Sequence, residues 1–323
     1  MNEEIKNELK STFVSYWHSL ALSAACKLNL FDLIDMGYND SNSLVAKSNT
    51  NTIELMKLLE ALLGLGYLNT TTGKYLLTEK GKFLTESHDE SLKYACILWS
   101  EEHLTAWQNL TYTIQTGKPA FEEIFKDNFF SYLNQNPEQL KKYHNAIEEY
   151  ARDDYSNINS IYNFQIHRGI LEIGSGTGYL IHQICKNTNI QGYTLDLPEV
   201  LKIAPDRNNI EKIPGNFFKS IPKIADAILL ARVLHDWNDE KARLILRNCA
   251  KSLPHNGRLY VIEILREQLK DKANLLNLNM SIVCNSQERT FNEYLSLLSA
   301  ERFIFMERKQ VNSIQSLLVF EKI

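Results

Sequence analysis

The sequence predicts an α/β protein: a doubly wound parallel sheet preceded by a smaller, mainly α-helical domain with a winged-helix pattern. Residues 169–196 follow the order strand, glycine-rich turn, helix and strand, and the last strand ends in a carboxylate. This order is the mononucleotide-binding half of a doubly wound sheet. The apolar runs at 225–234 and 259–263 add two more strands. Before this part of the chain, helical periodicity gives way to a hairpin pattern at 67–77.

Length and composition are those of a globular protein with more than one domain. The chain has 323 residues, of which 44% are hydrophobic and 23% are charged. A single small domain is rarely this long. We therefore predict a winged-helix domain over residues 1–100, a helical linker over residues 101–155 and a doubly wound α/β domain over residues 156–323.

Several classes of protein are disfavoured by the same totals. The charged start MNEEIKNELK lacks the apolar stretch of a secretory signal, and no apolar run reaches membrane-spanning length. A net charge of −4 argues against a nucleic-acid partner. The five cysteines are scattered, and no C-x-x-C or H-E-x-x-H pattern occurs. We expect a cytoplasmic protein with no metal site, no membrane partner and no nucleic-acid partner.

The amino-terminal segment has the spacing of several short helices. Apolar residues recur every three or four positions over residues 4–33, which predicts two helices or one broken helix, with a turn at Asn29 and Asp32. A helix pair is predicted at 41–47 and 53–63, and Gly64 or Gly66 ends the second helix. A hairpin at 67–77 and a helix at 78–84 complete the pattern.

A winged helix can bind DNA, so charge has to decide between two hypotheses. Lysines in this segment are offset by glutamates, and no arginine precedes Arg152. DNA binding depends on a surplus of basic side chains. The sequence therefore favours an interaction domain over a DNA reader.

The glycine-rich turn narrows the choice of ligand. Gly174, Gly176 and Gly178 allow a tight turn and the close approach of a ligand. A dinucleotide fingerprint would place its third glycine at 179, where this chain has Tyr179. The E-x-G-x-G-x-G spacing instead resembles that of class I S-adenosylmethionine-dependent methyltransferases.

This resemblance implies roles for the residues around the turn. The turn would pack on the methionine end and the ribose of the cofactor, and Glu172 would help organise the region near its ammonium. Asp196 would bind the ribose diol, since one carboxylate can accept hydrogen bonds from two adjacent hydroxyls. The structural alternative is a glycine turn that only joins a strand to a helix.

An aromatic helical region over residues 91–155 sharpens the resemblance to one branch of that family. It is carried by Trp107, residues 116–121 (TGKPAF), residues 130–133 and 136–138, and Tyr150. The branch comprises O-methyltransferases with an amino-terminal winged-helix dimerisation domain, including plant phenylpropanoid and bacterial natural-product enzymes. It implies a homodimer formed through the amino-terminal domain, a substrate pocket to which residues 101–155 contribute, and a catalytic domain over residues 156–323 that binds S-adenosylmethionine. Trp107, Phe121 and Phe130 become candidate pocket residues, although most aromatics here could simply fill a helical core.

The segment after Asp196 carries the remaining candidate cofactor contacts. Leu197, in a D-L-P turn, would pack on the adenine. Asn216 and Phe217 stand where the family usually has an aspartate and an apolar residue, so the charge at that position is lost. Arg232 would touch the cofactor or have a structural role, as would Asp236, which could also cap the helix that starts near residue 238.

His235 is the candidate general base among the eight histidines of the chain. It stands at the carboxyl end of the predicted fourth strand in an H-D-W sequence that matches the family's catalytic histidine. A neutral imidazole can take a hydroxyl proton during methyl transfer. The resemblance implies that Glu263 and Glu288 hold the imidazole, so that one nitrogen is fixed by a carboxylate and the other is free.

The segment before Glu288 supplies two candidate substrate contacts. Met280 is expected on a helix that faces the pocket, and it could equally be core filling. Asn285 begins the segment Asn285-Ser286-Gln287, where relatives commonly have glycines. The loop could therefore run differently in this chain.

The sequence thus predicts an S-adenosylmethionine-dependent O-methyltransferase that acts on a small hydroxylated molecule, aromatic or a natural product. Two alternatives stay open at this point. One is an N- or C-methyltransferase, or a cofactor-binding relative with different chemistry, on the same scaffold. The other is a winged-helix regulator that binds DNA.

Overall fold

The computed structural model describes residues 2–323. The chain divides into two compact units. One comprises the residues up to Leu104 together with Asn145–Tyr150, and the other comprises Thr105–His144 and Ala151–Ile323. Within residues 2–323, no helix is both long enough and apolar enough to cross a membrane.

The first unit is helical with one two-stranded hairpin, in the order predicted. Its strands β1 and β2 are antiparallel and pair Leu68 with Leu77. The elements are α1 Asn2–Phe13, α2 Tyr16–Lys27, α3 Leu30–Asp35, α4 Ser41–Ser48, α5 Thr52–Gly64, β1 Leu68–Thr71, β2 Lys74–Leu77, α6 Glu79–Lys82 and α7 Lys93–Leu98.

Local sequence explains the ends of these elements, with one correction. Gly66, with φ +76°, takes the left-handed conformation just past α5, and the Thr78 side chain caps α6. Three helices rather than two cover residues 2–35. Asn29 breaks the chain with φ +54°, as expected of a turn, but Asp32 lies inside α3.

The second unit contains the large sheet and the helices that cover it. Two helices share residues with the first unit: α8 Glu102–Gln108, which starts there, and α12 Pro137–Asp154, whose residues 145–150 belong to it. The other helices are α9 Leu110–Thr116, α10 Ala120–Phe125, α11 Phe129–Gln135, α13 Ile158–Ile161, α14 Tyr179–Cys185, α15 Pro198–Ile203, α16 Asp239–Ser252, α17 Asn274–Val283 and α18 Phe291–Ser299. Its strands are β3 Gly169–Ile173, β4 Gln191–Asp196, β5 Ile210–Pro214, β6 Ala227–Ala231, β7 Arg258–Ile264, β8 Phe303–Gln310 and β9 Gln315–Lys322.

The sheet has the order β5-β4-β3-β6-β7-β9-β8. Strands β3 to β7 are parallel, whereas β9 is antiparallel to β7 and to β8. Every residue of β3 is buried, as its apolar run predicted. Two apolar clusters pack against the sheet, one around Leu246 of α16 and one around Ile181 of α14. The predicted α/β doubly wound, Rossmann-like class is confirmed.

Candidate active site

The candidate site lies at the carboxyl ends of the central strands. Strand β3 pairs with β4 on one side and with β6 on the other. The chain leaves β3 toward β4 and later returns to the opposite side of β3, so the strand order reverses there. Ligands of open α/β sheets bind at such a reversal.

The glycine turn after β3 has a backbone that requires glycine. Gly174, Gly176 and Gly178 have φ values of +64°, +56° and +71°. A Cβ at Gly174 would lie 2.9 Å from Val233 Cγ2, and one at Gly178 would lie 3.0 Å from Thr194 Cγ2. The dihedral angles, and at Gly174 and Gly178 also the close neighbours, therefore make any larger side chain unfavourable.

Asp196, at the end of β4, faces this turn. Its Oδ2 accepts a hydrogen bond from Gly176 N–H at 2.8 Å, and its Oδ1 accepts one from Leu197 N–H at 2.7 Å. Burial raises the pKa of Asp196 to about 6, although these two amides oppose the shift. Each oxygen has a second lone pair for a ligand hydroxyl.

Glu172 lies inside β3 and contacts the helix that follows the turn. Its Oε2 accepts a hydrogen bond from Ile181 N–H at 3.2 Å, which satisfies an amide in the first turn of α14. Burial raises the pKa of Glu172 to about 8. The hydrogen bond to Ile181 is structural, and the role of Glu172 near the cofactor ammonium stays a prediction.

Of the other predicted cofactor contacts, Phe217 lies beside the turn. Phe217 Cε1 would lie 3.8 Å from a Cβ at Gly174. Leu197 caps α15 with its backbone, and Asn216 Oδ1 accepts from Phe218 N–H at 2.9 Å. Arg232, by contrast, donates hydrogen bonds from its guanidinium to the carboxylates of Glu263 and Glu288.

His235 does not end a strand, which corrects one expectation. Strand β6 stops at Ala231 rather than at residue 234, because Arg232 takes a left-handed φ of +54°. His235 then lies in a short 3-10 turn, Leu234–Asp236. The helix after it begins with Asn238 as its cap, whose side chain accepts from Lys241 N–H at 3.1 Å. The predicted cap at Asp236 is therefore wrong.

The imidazole of His235 lies between two carboxylates. Its Nδ1 is 3.2 Å from Glu288 Oε1, and its Nε2 is 3.3 Å from Asp236 Oδ1. Burial and Arg232 lower the pKa of His235, but Asp236, Glu288 and Glu263 outweigh them and raise it. Burial also raises the pKa of Asp236 to about 6. The nitrogen expected to be free thus has Asp236 beside it.

Glu263 holds the backbone of the histidine turn rather than the imidazole. Its Oε1 accepts hydrogen bonds from Leu234 N–H at 2.9 Å and from His235 N–H at 3.3 Å. Arg232 donates to Glu263 at 3.1 Å and to Glu288 at 2.7 Å. Burial opposes ionisation of Glu288, yet Arg232 and His235 hold its pKa well below the usual range. The expectation that both glutamates hold the ring is corrected, since only Glu288 contacts it.

The same cluster has the composition of a metal site. One potential ligand atom each from His235, Glu263 and Glu288 lies within 4.8 Å of the others. The Arg232 guanidinium, however, already contacts both carboxylates and supplies the positive charge that a metal ion would bring. The prediction of no metal ligand set stays a prediction.

Arg289 is a residue whose role the sequence did not reveal. It is 2% exposed and donates to Leu234 O at 2.8 Å, to Trp237 O at 2.6 Å and to Asp239 Oδ1 at 2.9 Å. Ser286 Oγ also donates to His235 O. These bonds fix the 3-10 turn that carries the histidine. The only sequence signal was a position next to Glu288.

A cavity opens beside Asp236 and contains part of the predicted substrate contacts. It is lined by Glu122, Asn128, Phe129, Phe130, Asp236, Trp237, Asn238, Lys241, Cys284 and Asn285. Phe130 and Asn285 were predicted as substrate contacts. The rings of Phe130 and Trp237 lie 5.3 Å apart at 32°. Trp237, which the sequence analysis did not predict as a cavity residue, could have been found from its place in the H-D-W sequence.

Three predicted substrate contacts do not line this cavity. Phe121 is fully buried against Phe129 in the helical core, which corrects its placement in the pocket. Met280 is also buried, as expected if its side chain fills the core and does not contact the substrate. Trp107 donates from Nε1 to Asn279 Oδ1 at 2.8 Å.

The residues around the turn fit the S-adenosylmethionine that the resemblance implies. The turn presents backbone with no room for a Cβ, and Asp196 offers lone pairs for a diol. Ser175 Oγ is buried and, among residues 2–323, has no hydrogen-bond partner. A buried hydroxyl without a partner is costly in the free protein, so a polar ligand at the turn would satisfy it.

Comparison with known proteins identifies the family of the chain. Residues 107–304 match the model of the O-methyltransferase domain, and residues 11–87 match that of the O-methyltransferase dimerisation domain. The chain is 28% identical to the phenazine O-methyltransferase PhzM of Lysobacter antibioticus, over 91% of this chain and 90% of the relative. It is 29% identical to the (S)-scoulerine 9-O-methyltransferase of Coptis japonica, over 88% and 81%.

A solved structure shows the same fold over nearly the whole chain. The crystal structure of LaPhzM matches with a TM-score of 0.92 and 26% identity, covering 99% of both chains. The glycine turn, the histidine turn and these matches lead to one conclusion: the chain is a methylating enzyme that belongs to the O-methyltransferase family.

Proposed function

We propose that this enzyme moves a methyl group from S-adenosylmethionine to a hydroxyl of a small molecule, with His235 as the general base. One observation carries the proposal: Glu288, held ionised by Arg232, lies 3.2 Å from His235 Nδ1. A carboxylate there favours a proton on Nδ1, which leaves the lone pair on Nε2.

The chain's own residues account for the proton transfer. Bound S-adenosylmethionine supplies a methyl group made electrophilic by its positively charged sulfur. The substrate hydroxyl gives its proton to Nε2 of His235, and the resulting imidazolium is stabilised by Glu288 and by Asp236, 3.3 Å away. General-base help of this kind contributes about 10²- to 10⁴-fold. Alignment by the site supplies much of the remainder.

The acceptor is an aromatic molecule, in keeping with natural-product chemistry. The cavity beside Asp236 has the rings of Phe129, Phe130 and Trp237 in its wall, and aromatic side chains bind flat ring systems well. The bacterial relative is named for phenazine, which is an aromatic ring system. A panel of phenols with isotope-labelled donor would identify the acceptor, and the proposal fails if no hydroxylated ring is methylated.

The atom that receives the methyl group separates this proposal from its alternatives. Product mass and NMR distinguish methylation of oxygen from that of nitrogen or carbon, and a protein that binds the donor without any transfer would be a non-methylating relative.

The DNA-reader alternative loses support because residues 11–87 match a dimerisation domain. The cytoplasmic location stays a prediction, which cell fractionation would test.

The enzyme is also proposed to be a homodimer through its first unit. Helix α1 has no buried residue, and it presents Ile5, Leu9 and Phe13, the last 69% exposed, on one side. Trp17, just after it, is 61% exposed. Large apolar side chains exposed close together in the chain are typical of a protein interface. A double variant with Phe13→Asp and Trp17→Asp should be monomeric by light scattering. The control Ile304→Asp, at an exposed position on β8, should remain dimeric. A dimeric double variant would contradict this interface.

A further inference from the structure

Helix α12 brings His144 onto the glycine turn. A Cβ at Gly176 would lie 3.1 Å from His144 Nδ1 and 3.6 Å from its Cε1. The imidazole therefore lies against the backbone of the turn. Nothing in the proton transfer at His235 uses this second histidine.

The structure does not give His144 a polar partner. Its ring stacks edge-on against Tyr143 at 5.2 Å, but within residues 2–323 its nitrogens make no hydrogen bond. Burial alone lowers the pKa of His144 to about 4, so the ring is neutral near pH 7. A neutral imidazole keeps one N–H donor and one acceptor for a ligand.

A second polar group on the same turn is also without a partner. Ser175, next to Gly176, has a buried Oγ with no hydrogen-bond partner among the described residues. The carboxylates nearby already have partners: Asp196 accepts two amides and Glu172 accepts one. The turn thus offers two donors, a hydroxyl and an imidazole N–H, to whatever lies on it.

The strand order indicates which part of the donor lies there. Asp196, the proposed ribose ligand, ends β4, and His235 follows β6, with β3 between these two strands. The donor must therefore cross the end of β3, where the turn is, between its ribose and its transferable methyl group. The aminocarboxylate chain leaves the same sulfur as the methyl group.

We propose that His144 and Ser175 bind the carboxylate of this aminocarboxylate chain by hydrogen bonds. The inference rests on the proposed use of S-adenosylmethionine. It makes His144 a binding residue for the donor with no part in proton transfer. It also predicts that ligands lacking the amino-acid part gain nothing from His144.

Calorimetry with two ligands tests this inference without measuring turnover. S-adenosylhomocysteine carries the aminocarboxylate, and 5′-methylthioadenosine lacks it. His144→Leu should weaken S-adenosylhomocysteine about tenfold or more, as expected for a lost hydrogen bond to a charged group. The affinity for 5′-methylthioadenosine should stay within about twofold of wild type. Ser175→Ala should give a smaller loss with the same selectivity.

Control variants separate hydrogen bonding from packing. His144→Gln, which keeps a donor, should retain most of the affinity, and His255→Ala, at an exposed histidine, should retain all of it. Equal losses for both ligands, or no loss for either, would overturn the role of His144. If wild-type protein binds neither ligand, the use of this donor fails as well, which is a separate result.

Discussion

The two halves of the candidate active site are built in different ways. The proposed donor side is the glycine turn with Asp196, and the proposed base side is His235 with the residues that hold it. On the donor side, the shape of the turn is set by the left-handed backbone angles of Gly174, Gly176 and Gly178. Asp196 contacts Gly176, which is only 20 residues away in the sequence. On the base side, His235 depends on Glu263 and Glu288, which are 28 and 53 residues away.

This difference predicts which kind of substitution should damage each half of the site. A backbone-built turn tolerates no added Cβ, whereas a side-chain network fails when one partner leaves a buried charge or carbonyl unpaired. Changes on the donor side should therefore affect ligand affinity, and changes on the base side should affect the rate at unchanged donor affinity. Four predictions test this separation.

The largest effect is expected from removing the proposed base, His235. His235→Ala should lower kcat by about 10²- to 10⁴-fold, because proton removal loses its acceptor. The affinity for S-adenosylhomocysteine should stay at its wild-type value, since His235 lies on the other half of the site. Single-turnover kinetics and calorimetry measure the two quantities. Unaltered turnover would remove His235 as the base.

Arg289 tests whether the base side depends on its buried network. Arg289→Met leaves the carbonyls of Leu234 and Trp237 without their donor, so we expect a loss of about 1–3 kcal/mol in the free energy of unfolding. The rate should fall as the histidine turn loosens. Urea denaturation and kcat measure both.

A matched arginine provides the control for that experiment. Arg247 also binds a carboxylate, that of Glu301 at 3.0 Å, but its side chain is 58% exposed. Arg247→Met should cost about 0–1 kcal/mol. Equal destabilisation by the two variants would show that burial of the network is not what matters.

On the donor side, Gly174→Ala should destabilise through the backbone. A left-handed conformation costs a residue with a Cβ about 1–2 kcal/mol, and the added Cβ would meet Val233 Cγ2 at 2.9 Å. S-adenosylhomocysteine should bind more weakly. Gly64→Ala, in α5 with no atom within 4 Å, should instead stabilise by up to about 1 kcal/mol. Normal donor affinity in Gly174→Ala would break the distinction between the two halves.

The smallest effect is a shift of the pH profile on the base side. Burial and Arg232 lower the pKa of His235, but Asp236, Glu288 and Glu263 outweigh them and raise it. Its basic form, and with it kcat/KM, should therefore increase with pH through a midpoint above that of an ordinary histidine. Asp236→Asn removes one of the raising charges. The midpoint should therefore move to lower pH, and an upward shift would contradict the electrostatic role of Asp236.

The sequence by itself determined the features that depend on near neighbours. Apolar spacing predicted the buried strand β3, glycine spacing predicted the turn, and strand β4 was predicted to end in a carboxylate, Asp196. Such features follow from residues close together in the chain. The H-D-W sequence also marked His235, but through resemblance and not through geometry.

Only the tertiary structure decided how the distant groups share the site. It placed Glu263 on the backbone amides, Arg232 on both glutamates and Arg289 on the histidine turn. It also buried Phe121 in the core and ended β6 early. The reason is physical: a buried charge accepts whichever partners the folded chain brings within hydrogen-bond distance, and the spacing along the sequence does not encode that distance.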